Sequence, residues 1–559
     1  MSTLASIAEL PNKLHLQLAF RVCGLLLSSV FGALFACGSQ ASDAGLAHGG
    51  TAGAFGGSAG ISVAAGSGGV SPNGGAASQG AAGNAAAGLD NIGGSTNSAG
   101  RGGAGSAAGT SGGANGGASI GGASIGGASS AGAAGVGVTK AAESKLPGAG
   151  VTIVSYGGYL NGESFQQDGV VTHQGYQYAA FWNSARHVVL ARRELPSGAW
   201  SALEFSDYTN TEGDAHNTIS IGICPGDGTL HLAFDHHGST LHYRKSVAGL
   251  LSEPGAASWA TASFSAVTNR LVGTSALTLV TYPRFVTEPG GKKLLFEARI
   301  GESGSGDELL WEYDAESHAW AAIGEFINGT DASINAYPHG LSYARGGTRL
   351  HISWCWRETS NAATNHDLLY AYSDDHGRTW KNNAGTSIAT SGSASITKNS
   401  VGIKVWTIGQ NRGLINQEHM AVDAAGRVHV LLSHLPDAQA DDSNFDNART
   451  KSQYFHYFRE TEGSWNRSAL TFPAQAAFRG KLAVAASGNL YAVLPDMRIA
   501  AAPAAQGFKP WSLLASNDAG KYFSDPLIDT ARLMTEDTLS VFYPRKNSSD
   551  IYVLDFQIQ

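Results

Sequence analysis

The stretch 216–236 reads HNTISIGICPGDGTLHLAFDH. Two apolar-rich runs flank the turn signal PGDG, which is the signature of a β-hairpin. The same unit of strand, tight turn and returning strand recurs along the chain. Its other copies are DGVVTHQGYQYAAFW (168–182), YPRFVTEPGGKKLLFEAR (282–299), YPHGLSYARGGTRLHISWCW (337–356), NQEHMAVDAAGRVHVLLSH (416–434), GKLAVAASGNLYAVL (480–494) and DPLIDTARLMTEDTLSVFYP (525–544). Each is followed by more strand-like sequence, often closing on a polar turn and a tryptophan, as in RRELPSGAW, YDAESHAW and RETEGSW. Self-similarity on this scale marks a repeat architecture, because one such unit cannot bury its apolar faces alone. Seven units, each long enough for four strands, predict an all-β chain folded as a seven-bladed β-propeller over 148–559. No helical stretch is expected, and the strand VTIVSYG (151–157) is expected to complete the last blade. SDDHGRTW (373–380) fits the Asp-box pattern S-x-D-x-G-x-T-W, a turn common on propeller blades. It speaks for the fold; with no convincing arginine triad beside it, a sialidase is not expected.

Upstream of the repeats the composition changes. Residues from about 42 to 142 are almost wholly Gly, Ala, Ser, Thr and Asn. Such a segment cannot bury enough apolar surface to offset chain entropy, so 38–147 is expected to be a disordered linker. Residues 1–37 place Lys13 and Arg21 ahead of the apolar run 22–36. That run suits a signal-peptide core and is shorter than the about 20 residues a membrane span needs. Its ending, LFAC, resembles a bacterial lipobox, in which the cysteine, here Cys37, is lipidated. The expectation is a monomer that is secreted or held at the cell surface as an outer-membrane lipoprotein, touching the membrane only through its lipid.

The 559 residues carry a net charge of -8, with 14% charged residues. Binding nucleic acid needs a clustered basic surface to neutralise phosphates, and none is present. Of four cysteines, Cys23 and Cys37 lie in the leader. Cys224 and Cys355 make no disulfide framework and are read as buried thiols.

Hairpin symmetry gathers the candidate functional residues. Residues equidistant from a turn face each other across the ladder, about 5 Å apart at Cβ. His216 and His237 are so related across PGDG, Tyr282 and Arg299 across PGGK, and His339 and Cys355 across RGGT. In a propeller these open hairpin ends converge on one rim of the central funnel, where rigid strand ends hold side chains in place. The set His216, His237, Tyr282 and Arg299 is the predicted catalytic group. Tyr337, which repeats the position of Tyr282 one blade on, is expected to line the substrate site, as are Asn217 and His236.

This set lacks the carboxylate pair that the usual glycosidase places around the scissile bond. It suits β-elimination on a uronate instead. Arg299 would pair with the sugar carboxylate and stabilise carbanion-like charge at C5. Of His216 and Tyr282, one would take the C5 proton and the other would protonate the leaving O4. A tyrosine needs a cationic neighbour to act as base, and Arg299 would be that neighbour. No cofactor is required for this chemistry; a structural Zn or Ca ion is compatible with it. Cys355, His339 and His366 offer a thiolate and imidazoles that suit zinc, although their spacing matches no known zinc signature. His419 and His434 are weaker candidates. Trp182, Trp354 and Trp356 are read as blade-packing residues.

The strings DGVVTHQGYQYAAFW, DAHNTISI, DGTLHLAFDHHGSTLHYR, TYPRFV, FEARIGESGSG, LHISWCWRE and NHDLLYAYSDDHGRTW resemble the BNR-4 repeat propeller family. That family includes propeller-type ulvan lyases and rhamnosyl-glucuronate lyases. The resemblance implies a polysaccharide lyase acting on an acidic polysaccharide. It puts acid and base roles on His216 and Tyr282, a second histidine at His237 with adjacent His236 as its rival, and carboxylate neutralisation on Arg299. It implies a zinc in some members without fixing its ligands here. Other members hydrolyse terminal α-L-rhamnose, so an α-L-rhamnosidase and a non-catalytic glycan-binding propeller are the alternative readings.

Overall fold

The computed structural model describes residues 135–151, 160–163, 168–474, 478–516, 522 and 525–559. The leader, Cys37 and the Gly-rich stretch up to 134 lie outside the described residues. What is described is all-β, with two short helices, Phe445–Thr450 and Thr530–Glu536.

Every hairpin read from the sequence forms. Val170–His173 pairs with Tyr176–Trp182, Ile219–Cys224 with Thr229–Phe234, and Val280–Thr287 with Lys293–Glu302. Asn335–Tyr343 pairs with Leu350–Arg357, His419–Val422 with Val428–His434, and Lys481–Val484 with Leu490–Leu494. In the last unit Leu527–Ile528 pairs with Thr538–Pro544, and the connection is the helix Thr530–Glu536 where a turn was expected. Its N-cap is Asp529, whose carboxylate accepts the Arg532 N–H and so satisfies one open donor of the first turn.

Further antiparallel strands extend these hairpins into four-stranded sheets for the units that begin at 168, 416, 480 and 525, and a three-stranded sheet for the unit at 216. The units at 282 and 337 share an eleven-stranded sheet, joined where Gly306 pairs in parallel with Asn335. First strands of successive sheets pack against one another. The succession returns to its start, because Asp529 accepts hydrogen bonds from Thr172 N (3.1 Å), Thr172 Oγ1 (2.5 Å) and Gln177 Nε2 (2.8 Å) of the first hairpin. The arrangement is propeller-like.

The strand that completes the last sheet differs from the expected one. Val138–Lys145 pairs with Ile551–Ile558, from Val138 opposite Ile558 to Lys145 opposite Tyr552. The folded part therefore starts upstream of 148, inside the segment read as linker. The reason for the miss is physical: VTKAAESK forms an outer edge, mostly exposed, and carries no alternating apolar signal. Of 151–157, residues 152–157 lie outside the described residues.

Packing between sheets is close. A Cβ added to Gly222 would lie 2.4 Å from Cγ of Phe285 on the next first strand. Trp182, Trp354 and Trp356 are buried as expected, and Cys224 and Cys355 are buried free thiols. The Asp box closes on itself: Asp375 accepts from Ser373 Oγ, Thr379 N and Thr379 Oγ1 at 2.7–2.8 Å. Trp380 of the same box stacks on Phe326 at 4.8 Å.

Candidate active site

The ladder between Ile219–Cys224 and Thr229–Phe234 is regular. Extending it three residues brings His216 opposite His237, and their rings stack at 4.0 Å with 14° between planes. One carboxylate holds both. Asp214 Oδ1 lies 2.5 Å from Nδ1 of His216, and its Oδ2 lies 2.7 Å from Nδ1 of His237. The Asp214 Oδ1 also accepts the His216 N–H at 2.9 Å, a short loop bond that fixes the turn before the strand.

Burial lowers the His216 pKa to about 4, against the opposing pull of Asp214. Burial alone would raise the Asp214 carboxyl, but its bonds to His216 and His237 hold it well below the usual carboxylate range. His216 is therefore a neutral imidazole near neutral pH. With Nδ1 donating to Asp214, its Nε2 carries the lone pair, the arrangement of a general base oriented by a carboxylate.

Tyr282 reaches the same place by an irregular route. The ladder of its hairpin slips between Thr281, opposite Arg299, and Arg284, opposite Glu297. Tyr282 thus sits in a bulge with φ of 56° rather than directly facing Arg299 as symmetry predicted. There its ring lies 5.9 Å from that of His216 between centroids, with the Arg299 guanidinium over it at 5.0 Å. Burial pushes the Tyr282 phenol up, so it keeps its proton. Arg299 opposes that shift without outweighing the burial. Its Nη1 donates to Tyr337 Oη at 3.3 Å, and its Nη2 to Thr281 Oγ1 at 3.1 Å.

Tyr337 joins the cluster as expected, its ring 6.1 Å from that of Tyr282. Its hairpin also slips, between Pro338 and Gly340, so Cys355 faces Tyr337 and not His339. A second guanidinium, Arg357 at the end of the returning strand, donates Nη1 to Tyr337 Oη at 3.3 Å. Glu297 pairs with Arg284 at 3.1 Å, leaving Arg299 without a carboxylate at ion-pair distance among the described residues. Its cross-strand neighbour Glu308 has a carboxyl pushed well above the usual range by burial and by Glu297.

The remaining candidates have these partners. His236 is buried, and its Nε2 accepts the His242 N–H at 2.9 Å. The Asn217 side-chain amide donates to Asp235 at 2.6 Å, and its backbone carbonyl accepts from Trp182 Nε1 at 2.8 Å. The zinc candidates do not assemble. Cys355 Sγ faces the Tyr337 carbonyl, His339 accepts the Glu418 N–H, and His366 lies between Asp367 and Glu358. Among the described residues the group with ligand atoms close enough for one ion is Asp214, His216 and His237. There the Nδ1 atoms already meet the Asp214 oxygens, which fits a carboxylate orienting two imidazoles. His419 and His434 are held by Leu482 N–H and by Tyr457 and the Leu435 carbonyl respectively.

Asp214, Arg357 and Arg479 went unread. Asp214 stands two residues before His216 in DAHN, and Arg357 follows CW at a returning strand's end much as Arg299 follows FEA. Arg479 precedes the sixth hairpin, bonds the Asn416 carbonyl at 2.7 Å, and adds positive charge near His216 and Tyr282. Nothing in its local sequence signalled that position.

Fold and site together define an all-β, propeller-like protein with a carboxylate-oriented histidine pair, two tyrosines and two buried guanidiniums at one end of adjacent hairpins. The chain matches the BNR repeat-containing family over residues 176–472 and belongs to it. It is similar to the long isoform of ulvan lyase from Pseudoalteromonas sp. (strain PLSV), 28% identical over 264 residues. That match covers 39% of this chain and 26% of the relative, so the matched part spans about a quarter of that relative's length. Among solved structures, the polysaccharide lyase Uly1 superposes with a TM-score of 0.59 at 18% identity, over 75% of this chain and 99% of that one. An ulvan lyase bound to -[GlcA(1-4)Rha3S]- superposes with a TM-score of 0.51 at 13% identity, over 73% and 95%.

Proposed function

We propose that the chain is a polysaccharide lyase that cleaves at a 4-linked uronic acid by β-elimination, in ulvan or a similar rhamnose-glucuronate glycan. The observation that carries this reading is the closeness of Tyr282 to both His216, 5.9 Å, and the Arg299 guanidinium, 5.0 Å. The similarity to ulvan lyases supports it.

In this reading Arg299 pairs with the uronate carboxylate and offsets the charge that grows toward it as C5 loses its proton. His216, neutral and oriented by Asp214, takes that proton on Nε2. The electron pair of the C5–H bond forms the C4–C5 double bond, the C4–O4 bond breaks, and Tyr282 gives its proton to O4. Products are a new reducing end and a 4,5-unsaturated uronate, with no water consumed. His237, the more exposed of the stacked pair, offers its ring to the incoming sugar.

The scaffold is proposed to have seven blades, counting the eleven-stranded sheet as two that meet at the Gly306–Asn335 bridge. Secretion through the leader and lipid attachment at Cys37 are proposed to set it at the cell surface, where a long polymer substrate is reachable.

The test is incubation of the protein with ulvan, with ultraviolet absorbance and mass spectrometry of the products. Unsaturated uronate ends support elimination. Free rhamnose with one water added per cut would make it an α-L-rhamnosidase instead, and binding without any product would make it a non-catalytic glycan binder.

A further inference from the structure

Tyr337 has a setting unlike that of Tyr282. Its hydroxyl oxygen meets two guanidinium donors, Arg299 Nη1 and Arg357 Nη1, each at 3.3 Å. Both guanidiniums also lie 5.3–5.7 Å from its ring centre. All three residues are almost wholly buried. Two cations that converge on one oxygen, with no ion-paired carboxylate for Arg299 among the described residues, call for an anion there. The remaining groups around Tyr337 do not supply it. Glu308 beside Arg299 is disposed to be protonated, Tyr282 keeps its proton, Ser303 is neutral, and Asp525 is ion-paired with Arg479. The phenol itself is the group that can become the anion.

We propose that Tyr337 is an internal counterion that ionises between Arg299 and Arg357 while the site is empty, and that takes up a proton when the carboxylate of an acidic sugar enters and shares those guanidiniums. In chemical terms, the phenolate oxygen gains a proton from solvent as the sugar carboxylate, still ionised, takes over part of the Arg299 and Arg357 charge. The balance of causes agrees: burial pushes the phenol up, yet Arg357 and Arg299 together bring it below its ordinary value. Such a clamp favours sugars with a carboxylate over neutral sugars, because only an anion can replace the phenolate before Arg299, which has no ion-paired carboxylate among the described residues. The inference rests on the reading that this site takes a uronate, and it adds Arg357 as a second specificity-determining guanidinium.

Ultraviolet pH titration of the resting protein tests the first half. One tyrosine should ionise ahead of the rest. That early phase should vanish in Tyr337→Phe, persist in Tyr282→Phe, and move to higher pH in Arg357→Gln, a variant that guards against misfolding of the first. Calorimetry with a uronate-containing ulvan oligosaccharide, in buffers of different ionisation enthalpy, tests the second half. Measured at the pH of that early phase, binding should take up protons in the wild type and none in Tyr337→Phe. Absence of the early phase, equal proton uptake in both proteins, or no binding of the oligosaccharide overturns the proposal. Binding with proton uptake but without unsaturated product supports the clamp while removing the lyase reading.

Discussion

His216 and His237 share one carboxylate: their stacked rings, 4.0 Å apart, both direct Nδ1 at Asp214. The relationship turns two side chains from opposite strands into one rigid unit, in which Asp214 fixes the orientation of both rings and which nitrogen of His216 can accept a proton. Asp214→Asn keeps the shape but removes the negative charge that selects this tautomer. Turnover of ulvan should fall by about 10²–10⁴-fold, with little change in the thermal midpoint. An equal loss from a variant that melts early would show a folding defect instead.

Removing the proton-transfer groups gives a second expectation. His216→Ala and Tyr282→Phe should each lower kcat by about 10²–10⁴-fold. Tyr282→Phe retains the ring that packs near His216 and Arg299, so circular dichroism and melting should stay near wild type. Unchanged turnover in Tyr282→Phe would remove that residue from the chemistry.

Acid should destabilise the fold through the same histidine. The His216 pKa in the folded protein, about 4, lies below its ordinary 6.5. As pH falls through that window the unfolded chain binds the proton first, so stability is full above about 6.5 and declines toward 4. Buried His231, His339, His351 and His434 act with the same sign. Asp214, held low, adds a loss at still lower pH. Melting temperatures measured from neutral pH down to about 4 should fall steadily, and His216→Gln should show a shallower slope.

Packing between neighbouring first strands can be tested at Gly222. Gly222→Ala would drive a methyl group into the Phe285 ring, where backbone and side chain are both buried. A destabilisation of about 1–3 kcal/mol is expected from denaturant midpoints. Phe285→Leu in the same background should recover part of it.

Local chemistry made much of this legible. PGDG and PGGK specify hairpins by turn type, and a regular ladder let His216 and His237 be matched across twelve strand residues. The rule failed where the ladder slips. At Tyr282 and at His339 a bulge shifts the register, so Arg299 faces Thr281 and Cys355 faces Tyr337. Both slips adjoin a Tyr-Pro pair, and proline cannot donate to a ladder. The helix Thr530–Glu536 was hidden because its hairpin still reads as strand on both sides. Asp214 stood in plain view, yet only the folded turn shows that it reaches two histidines. Arg479 depends on contacts between distant units and leaves no local mark.

Val138–Lys145 lies against Ile551–Ile558, near the opposite end of the chain. During synthesis Val138–Lys145 has no partner until 551–558 have been made, about 400 residues later. The preceding strands must wait with an unpaired margin, and contacts so distant in sequence form slowly.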